Sequence, residues 1–154
     1  MEQSTTKVTS PDRTTLRYKL HWHVIFTHFP VAFFTGSFGF MILHFFTRTS
    51  CFELAAYLAL IAGALSIIPT AISGWFTWKG RYKGGRGRIF LYKIRISFVM
   101  IGISWFLVAY RATFSVEFLD IFHNIWHLLY FVGILVLVAG AIAEGYYGGR
   151  LNHR

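Results

Sequence analysis

Along the chain, four long apolar runs alternate with short polar segments. Between Lys19 and Arg48 there is no Asp, Glu, Lys or Arg. A second run, Cys51 to Trp78, is interrupted only by Glu53 near its start, and a third, Ile89 to Arg111, carries Lys93 and Arg95 near its beginning. The fourth, Ile121 to Tyr147, holds Glu144 near its end. Each is long enough to supply the roughly 20 residues that a helix needs to cross bilayer hydrocarbon. There the backbone must satisfy its own hydrogen bonds, so the runs predict transmembrane helices over about 22–47, 51–78, 89–111 and 121–147. The expected fold is an all-α, integral membrane four-helix bundle spanning 21–149.

Local signals refine this layout. Pro30 belongs in a first turn, which sets a late start for the first helix. Pro69 should kink the second, with Ser66, Thr70 and Ser73 available to bond the freed carbonyls. Gly36 and Gly39, Gly63 and Ala64, and Ala139, Gly140 and Ala143 offer small surfaces for close helix contact. Residues 1–20 are polar and threonine-rich, without the apolar core of a signal peptide, and read as a disordered tail. Residues 150–154 form a second, short tail.

Composition agrees and narrows the class. Of 154 residues, 55% are hydrophobic and 14% charged, whereas a soluble domain carries about a quarter charged residues. The single cysteine, Cys51, excludes a disulfide within the chain, a thiolate iron–sulfur cluster and the CxxCH attachment of c-type haem. Charge is distributed by side. Thirteen of the 15 lysines and arginines, all but Arg48 and Arg111, fall in the N-terminal tail, the connection between runs two and three with its continuation to Lys93 and Arg95, or the C-terminus. The positive-inside rule assigns that side, and with it both termini, to the cytoplasm. Trp22, Trp75, Trp78, Tyr82, Tyr146 and Tyr147 cluster at the same boundary, where amphipathic rings suit the headgroup zone.

A net charge of +9 would suit nucleic acid in a soluble protein. Here the basic segment "KGRYKGGRGR" is short, glycine-rich and pinned between two spans. Lys79, Arg81, Lys83, Arg86 and Arg88 are therefore read as contacts for anionic lipid headgroups or a partner's acidic surface, with no nucleic acid partner. So little chain lies outside the bilayer that no soluble substrate, and no catalytic activity of its own, is evident.

Histidines are the candidate chemistry. Six of the seven sit at or within the ends of runs one and four: His21, His23 and His28 on the inner side, and His44, His123 and His127 on the outer side. His153 lies in the C-terminal tail. A b-type haem needs one imidazole from each of two facing helices. His28 and His44 stand about 24 Å apart along one helix, so they cannot share an iron. His44 with His127, or with His123, satisfies the requirement at the outer face; His28 with His23, His21 or His153 is the inner candidate. In "DIFHNIWH", Asp120, His123 and His127 lie on roughly one helix face and offer a weaker, metal-binding alternative. The plain alternative for every one of these histidines is a bond to lipid phosphate, water or neighbouring backbone. Glu144 is expected to pair with Lys93 or Arg95.

The stretch "HVIFTHFPVA" resembles the first helix of a family of bacterial four-span membrane proteins, DUF2231 (domain of unknown function), which typically opens on His-Pro and continues to His-Phe-Pro. His28, Phe29 and Pro30 match the second element, and His23 stands at the first histidine. Gly148, Gly149 and Leu151 match the family's closing Gly-Gly-x-Leu, with His153 near a histidine that often follows. Val24 departs from the expected proline, and Tyr92 and Lys93 stand where the third helix often starts with histidine. His44, His123 and His127 match no part of the pattern. The resemblance implies a multi-pass protein of the bacterial cytoplasmic (inner) membrane. Relatives fused to cytochrome-like or Rieske-like modules imply a place in membrane electron transfer. The function expected is a small subunit of a larger membrane redox complex, with b-type haem held by histidines of spans one and four. The alternatives are a cofactor-free accessory subunit packed against partner helices and, behind it, a small transporter or metal-binding bundle.

Overall fold

A computed structural model describes residues 13–81, 88–114 and 125–152, with side chains for 25–80, 88–114 and 125–148. Its elements are four helices: α1 (Arg13–Thr47), α2 (Ser50–Arg81), α3 (Arg88–Thr113) and α4 (Ile125–Asn152). All four carry an apolar stretch of membrane-crossing length, as the hydropathy pattern predicts.

The start of α1 differs from the sequence expectation. Pro30 lies well inside the helix rather than in its first turn. Proline brings no N–H, so the Phe26 carbonyl one turn back loses its intrahelical donor. The hydroxyl of Thr70 on α2 stands 2.7 Å from that carbonyl oxygen and supplies the missing hydrogen bond. The helix can therefore run through the proline, a substitution of donors that apolar surroundings make necessary. Around Pro69, hydroxyls serve carbonyls of the flanking turns. Ser66 donates to Gly63 and Ser73 to Thr70, both at 2.9 Å, and the Thr70 hydroxyl also lies 2.9 Å from the Ser66 carbonyl.

Arg48 and Thr49 alone join α1 to α2. Arg48 takes a φ of 59°, a left-handed conformation that costs a non-glycine residue about 1 kcal/mol. Its N–H bonds the His44 carbonyl at 2.8 Å and so caps α1. The turn forces the two helices antiparallel, and α3 and α4 each run antiparallel to the helix before. Glu53 meets Arg111, Lys93 meets Glu144, and Leu107 and Met100 reach Gly133 and Gly140. Packing closes a ring: α1 on α2, α2 on α3, α3 on α4 and α4 on α1. Thus α1 begins and α4 ends at the same end of the bundle.

Lipid tails are as apolar as leucine, so no hydrophobic force gathers such helices; close packing and polar ties must do it. The buried residues recur at three- and four-residue intervals, the seam of an antiparallel bundle. On α1 they are Phe34, Ser37, Met41 and His44; on α2, Glu53, Ala56, Leu60, Ala64 and Ile67. Met100, Ser104 and Leu107 continue the set on α3, and His127, Tyr130, Ile134, Leu137 and Ala141 on α4. The Ser37 hydroxyl donates across to the Ala56 carbonyl at 2.8 Å. Glycines let large side chains nest: a Cβ on Gly63 would stand 2.5 Å from the Phe34 ring, and one on Gly140 would stand 2.8 Å from the Met100 sulfur. Gly36 and Gly39 do otherwise. Among the described residues nothing lies within 4 Å of a Cβ placed on either, so none of them makes the contact expected there.

Candidate functional site

The four seams end together at the α1–α2 hairpin, and each ends in an ionisable side chain: His44 (α1), Glu53 (α2), Arg111 (α3) and His127 (α4). His44, Glu53 and His127 are buried. Arg111 keeps partial exposure and binds Glu53 through two parallel bonds, Nε to Oε1 at 2.5 Å and Nη2 to Oε2 at 2.8 Å. This is the fork geometry that makes arginine–carboxylate pairs strong. The Tyr57 ring lies beneath the guanidinium, 5.4 Å from ring centre to Cζ. Tyr110 and Tyr130 close the layer from α3 and α4, with ring centres 6.0 Å apart.

His44 is oriented by the turn that follows it. Its Nδ1 donates to the Thr49 carbonyl at 2.8 Å. A carbonyl can only accept, so Nδ1 carries a proton. Backbone carbonyls hold the second ring nitrogen of ligating histidines in the same way. His127 lies on the buried seam of α4, one turn before Tyr130. The outer pair singled out by sequence thus falls on adjacent helices at one end of the bundle.

The other expected residues are placed differently. His28 is exposed on α1, off the buried seam. His23 and His21 lie on α1 with side chains outside the described set, and His153 is outside the described residues altogether. Asp120 and His123, the partners of His127 in the metal alternative, also fall outside the described residues. Among the described residues, no group of three or more His, Cys, Asp or Glu side chains is arranged to hold a metal ion.

At the opposite end, Glu144 pairs with Lys93 at 3.3 Å, as anticipated, and takes the Ser97 hydroxyl on its other oxygen at 2.8 Å. Lys79 is exposed, with its Nζ 5.1 Å from the centre of the Trp75 ring. Arg88 opens α3 and is exposed. Arg81 closes α2 with its side chain outside the described set; Lys83 and Arg86 lie outside the described residues.

The sequence reading missed the Glu53–Arg111 pair and the tyrosines around it. The signal was present: an acid near the start of span two and a base at the end of span three meet when those spans are antiparallel neighbours.

Four apolar helices, closed in a ring and tied at each end by an interhelical ion pair, define a multi-pass membrane protein of the helical, inner-membrane kind. The chain belongs to the family described as "Predicted membrane protein (DUF2231)", whose family model matches residues 20–154. Neither a curated protein nor a solved structure matches it.

Proposed function

We propose that the chain is an accessory subunit of a bacterial inner-membrane complex. It packs against partner helices, has both termini in the cytoplasm, and needs no cofactor to do so. The observation that carries this reading is the use made of charge. Glu53 and Glu144, the acidic side chains within the spans, each grip a cation on a neighbouring helix. Polar chemistry here fastens helices together instead of lining a route for ions or protons. Gly36 and Gly39 add a backbone notch on α1 that no described residue fills, the kind of surface a second helix can approach closely. Crosslinking in native membranes followed by mild-detergent purification tests the reading. Recovery of a defined set of membrane subunits is expected; a monodisperse single chain with no crosslinked partner would sink it.

The single cysteine tests the topology. Cys51 is exposed beside the α1–α2 hairpin, while Lys79, Arg88 and Arg95 are exposed at the other end. The positive-inside rule therefore puts the hairpin outside. A membrane-impermeant maleimide is expected to label Cys51 on intact spheroplasts, and labelling only after lysis would reverse the orientation.

A second reading, b-type haem held between His44 and His127, draws on the hydrogen bond that ties His44 Nδ1 to the Thr49 carbonyl, the kind of backbone tie that orients a ligating histidine. Such a group would supply one-electron transfer through the membrane. A reduced-minus-oxidised absorbance spectrum decides: haem bands that vanish in His44→Ala support it, and their absence from complex isolated intact leaves the accessory role.

A further inference from the structure

Of the four helices, α3 buries the smallest share of its span, and its outward face has a distinct order. Arg88, Tyr92 and Arg95 follow at four- and three-residue spacing, so they share one face, and all three are exposed. The same face continues through Val99, Gly102 and Phe106, also exposed. Nothing lies within 4 Å of a Cβ placed on Gly102, which leaves a shallow break in the row. The order along the helix is thus cation, hydroxyl, cation, then an apolar track.

Arg95 stands about 10 Å farther along the helix axis than Arg88. A guanidinium there stays charged and requires an anion. Among the described residues, the ion pairs join Arg111 to Glu53 and Lys93 to Glu144. Glu144 has one oxygen on Lys93 and the other on Ser97, and both of those residues lie on the inward side of α3. The carboxylates in the spans are therefore engaged elsewhere. Arg95 itself is exposed on the outward side of α3.

We propose that this face of α3 binds an anionic phospholipid. Its phosphate is held between the guanidinium groups of Arg88 and Arg95, and the Tyr92 hydroxyl donates to the same oxygens. One acyl chain lies along Val99, Gly102 and Phe106. Guanidinium forks match phosphate oxygens in geometry as well as charge. Phosphatidylcholine offers the same phosphate, but two cations repel its ammonium, so phosphatidylglycerol is the better occupant. A basic side chain near an anionic headgroup contributes enough for about a fivefold preference per arginine.

Native mass spectrometry of the full-length protein, delipidated in mild detergent and titrated with each lipid, tests the site. Phosphatidylglycerol is expected to be retained about 25-fold over phosphatidylcholine, about fivefold for each of the two arginines. Arg95→Gln should cut that retention about fivefold, and combining it with Arg88→Gln should lower it to the phosphatidylcholine level. Arg48→Gln, which removes an exposed cation at the other end, should leave it unchanged. If Arg95→Gln loses helix content by circular dichroism, Gly102→Leu serves instead, since it fills the acyl track without touching charge and should also weaken retention. Equal retention of the two lipids by the wild type overturns the proposal. So does unchanged retention in a folded Arg95→Gln or Gly102→Leu variant, or a photo-reactive group at position 106 that captures protein instead of lipid in native membranes.

Discussion

At the hairpin end, Glu53 and Arg111 meet through two parallel hydrogen bonds, with side chains 11% and 22% exposed and tyrosine rings packed around them. At the opposite end, Lys93 and Glu144 meet at 3.3 Å, about a fifth exposed on each side, with Arg88, Arg95, Lys79 and Trp75 exposed around that end. Both pairs join neighbouring antiparallel helices. They differ in what would remain if one partner were lost. Removing Glu53 would strand a guanidinium among aromatic rings, whereas removing Glu144 would leave a lysine whose long stem can carry its charge to the headgroups. The same pair of charges thus acts as a lock at one end and as an adjustable tie at the other.

The largest expected effect tests the lock. Glu53→Gln should destabilise the bundle by about 3 kcal/mol, since breaking one side of a buried pair leaves an uncompensated charge. An SDS-unfolding titration measures this, and Glu53→Gln combined with Arg111→Met should recover most of the loss. Wild-type stability in the single variant would show that the pair does not hold the helices. A middle effect is expected from Thr70→Val, which removes the donor to the Phe26 carbonyl opposite Pro30. Interhelical bonds of this kind contribute about 1 kcal/mol in membranes, and a larger loss would mean that α1 breaks at the proline. Glu144→Gln should have the smallest effect, about 0.5 kcal/mol, because the amide still accepts from Ser97 and the pair is partly solvated. A loss equal to that of Glu53→Gln would erase the distinction between the two ends.

Much of the bundle could be read from the chain because the bilayer leaves few alternatives for a long uncharged run. The Lys93–Glu144 tie was legible for a related reason: opposite charges inside consecutive spans, near the same boundary, have few other partners. Which face of each helix turns inward was not legible. Phe34 is fully buried and Phe40 is exposed, yet both are phenylalanines of one span. Gly63 seats the Phe34 ring, while among the described residues nothing lies within 4 Å of a Cβ placed on Gly36. Hydropathy carries no such information when lipid and protein interior are equally apolar. Among the histidines the sequence could exclude His28 with His44 by distance, but could not tell that His28 faces outward and His44 inward.

By itself, then, the sequence determined the number of helices, their approximate limits and the uneven charge of their connections. These follow from backbone hydrogen bonding in hydrocarbon and from the cost of burying charge. Only the tertiary structure decided that Pro30 lies within a continuous helix, that Glu53 grips Arg111, and that four ionisable side chains close one end of the bundle. Each depends on a partner from another helix: the Thr70 hydroxyl, the Arg111 fork and the ring of seams. No single stretch of chain contains both halves of such a contact.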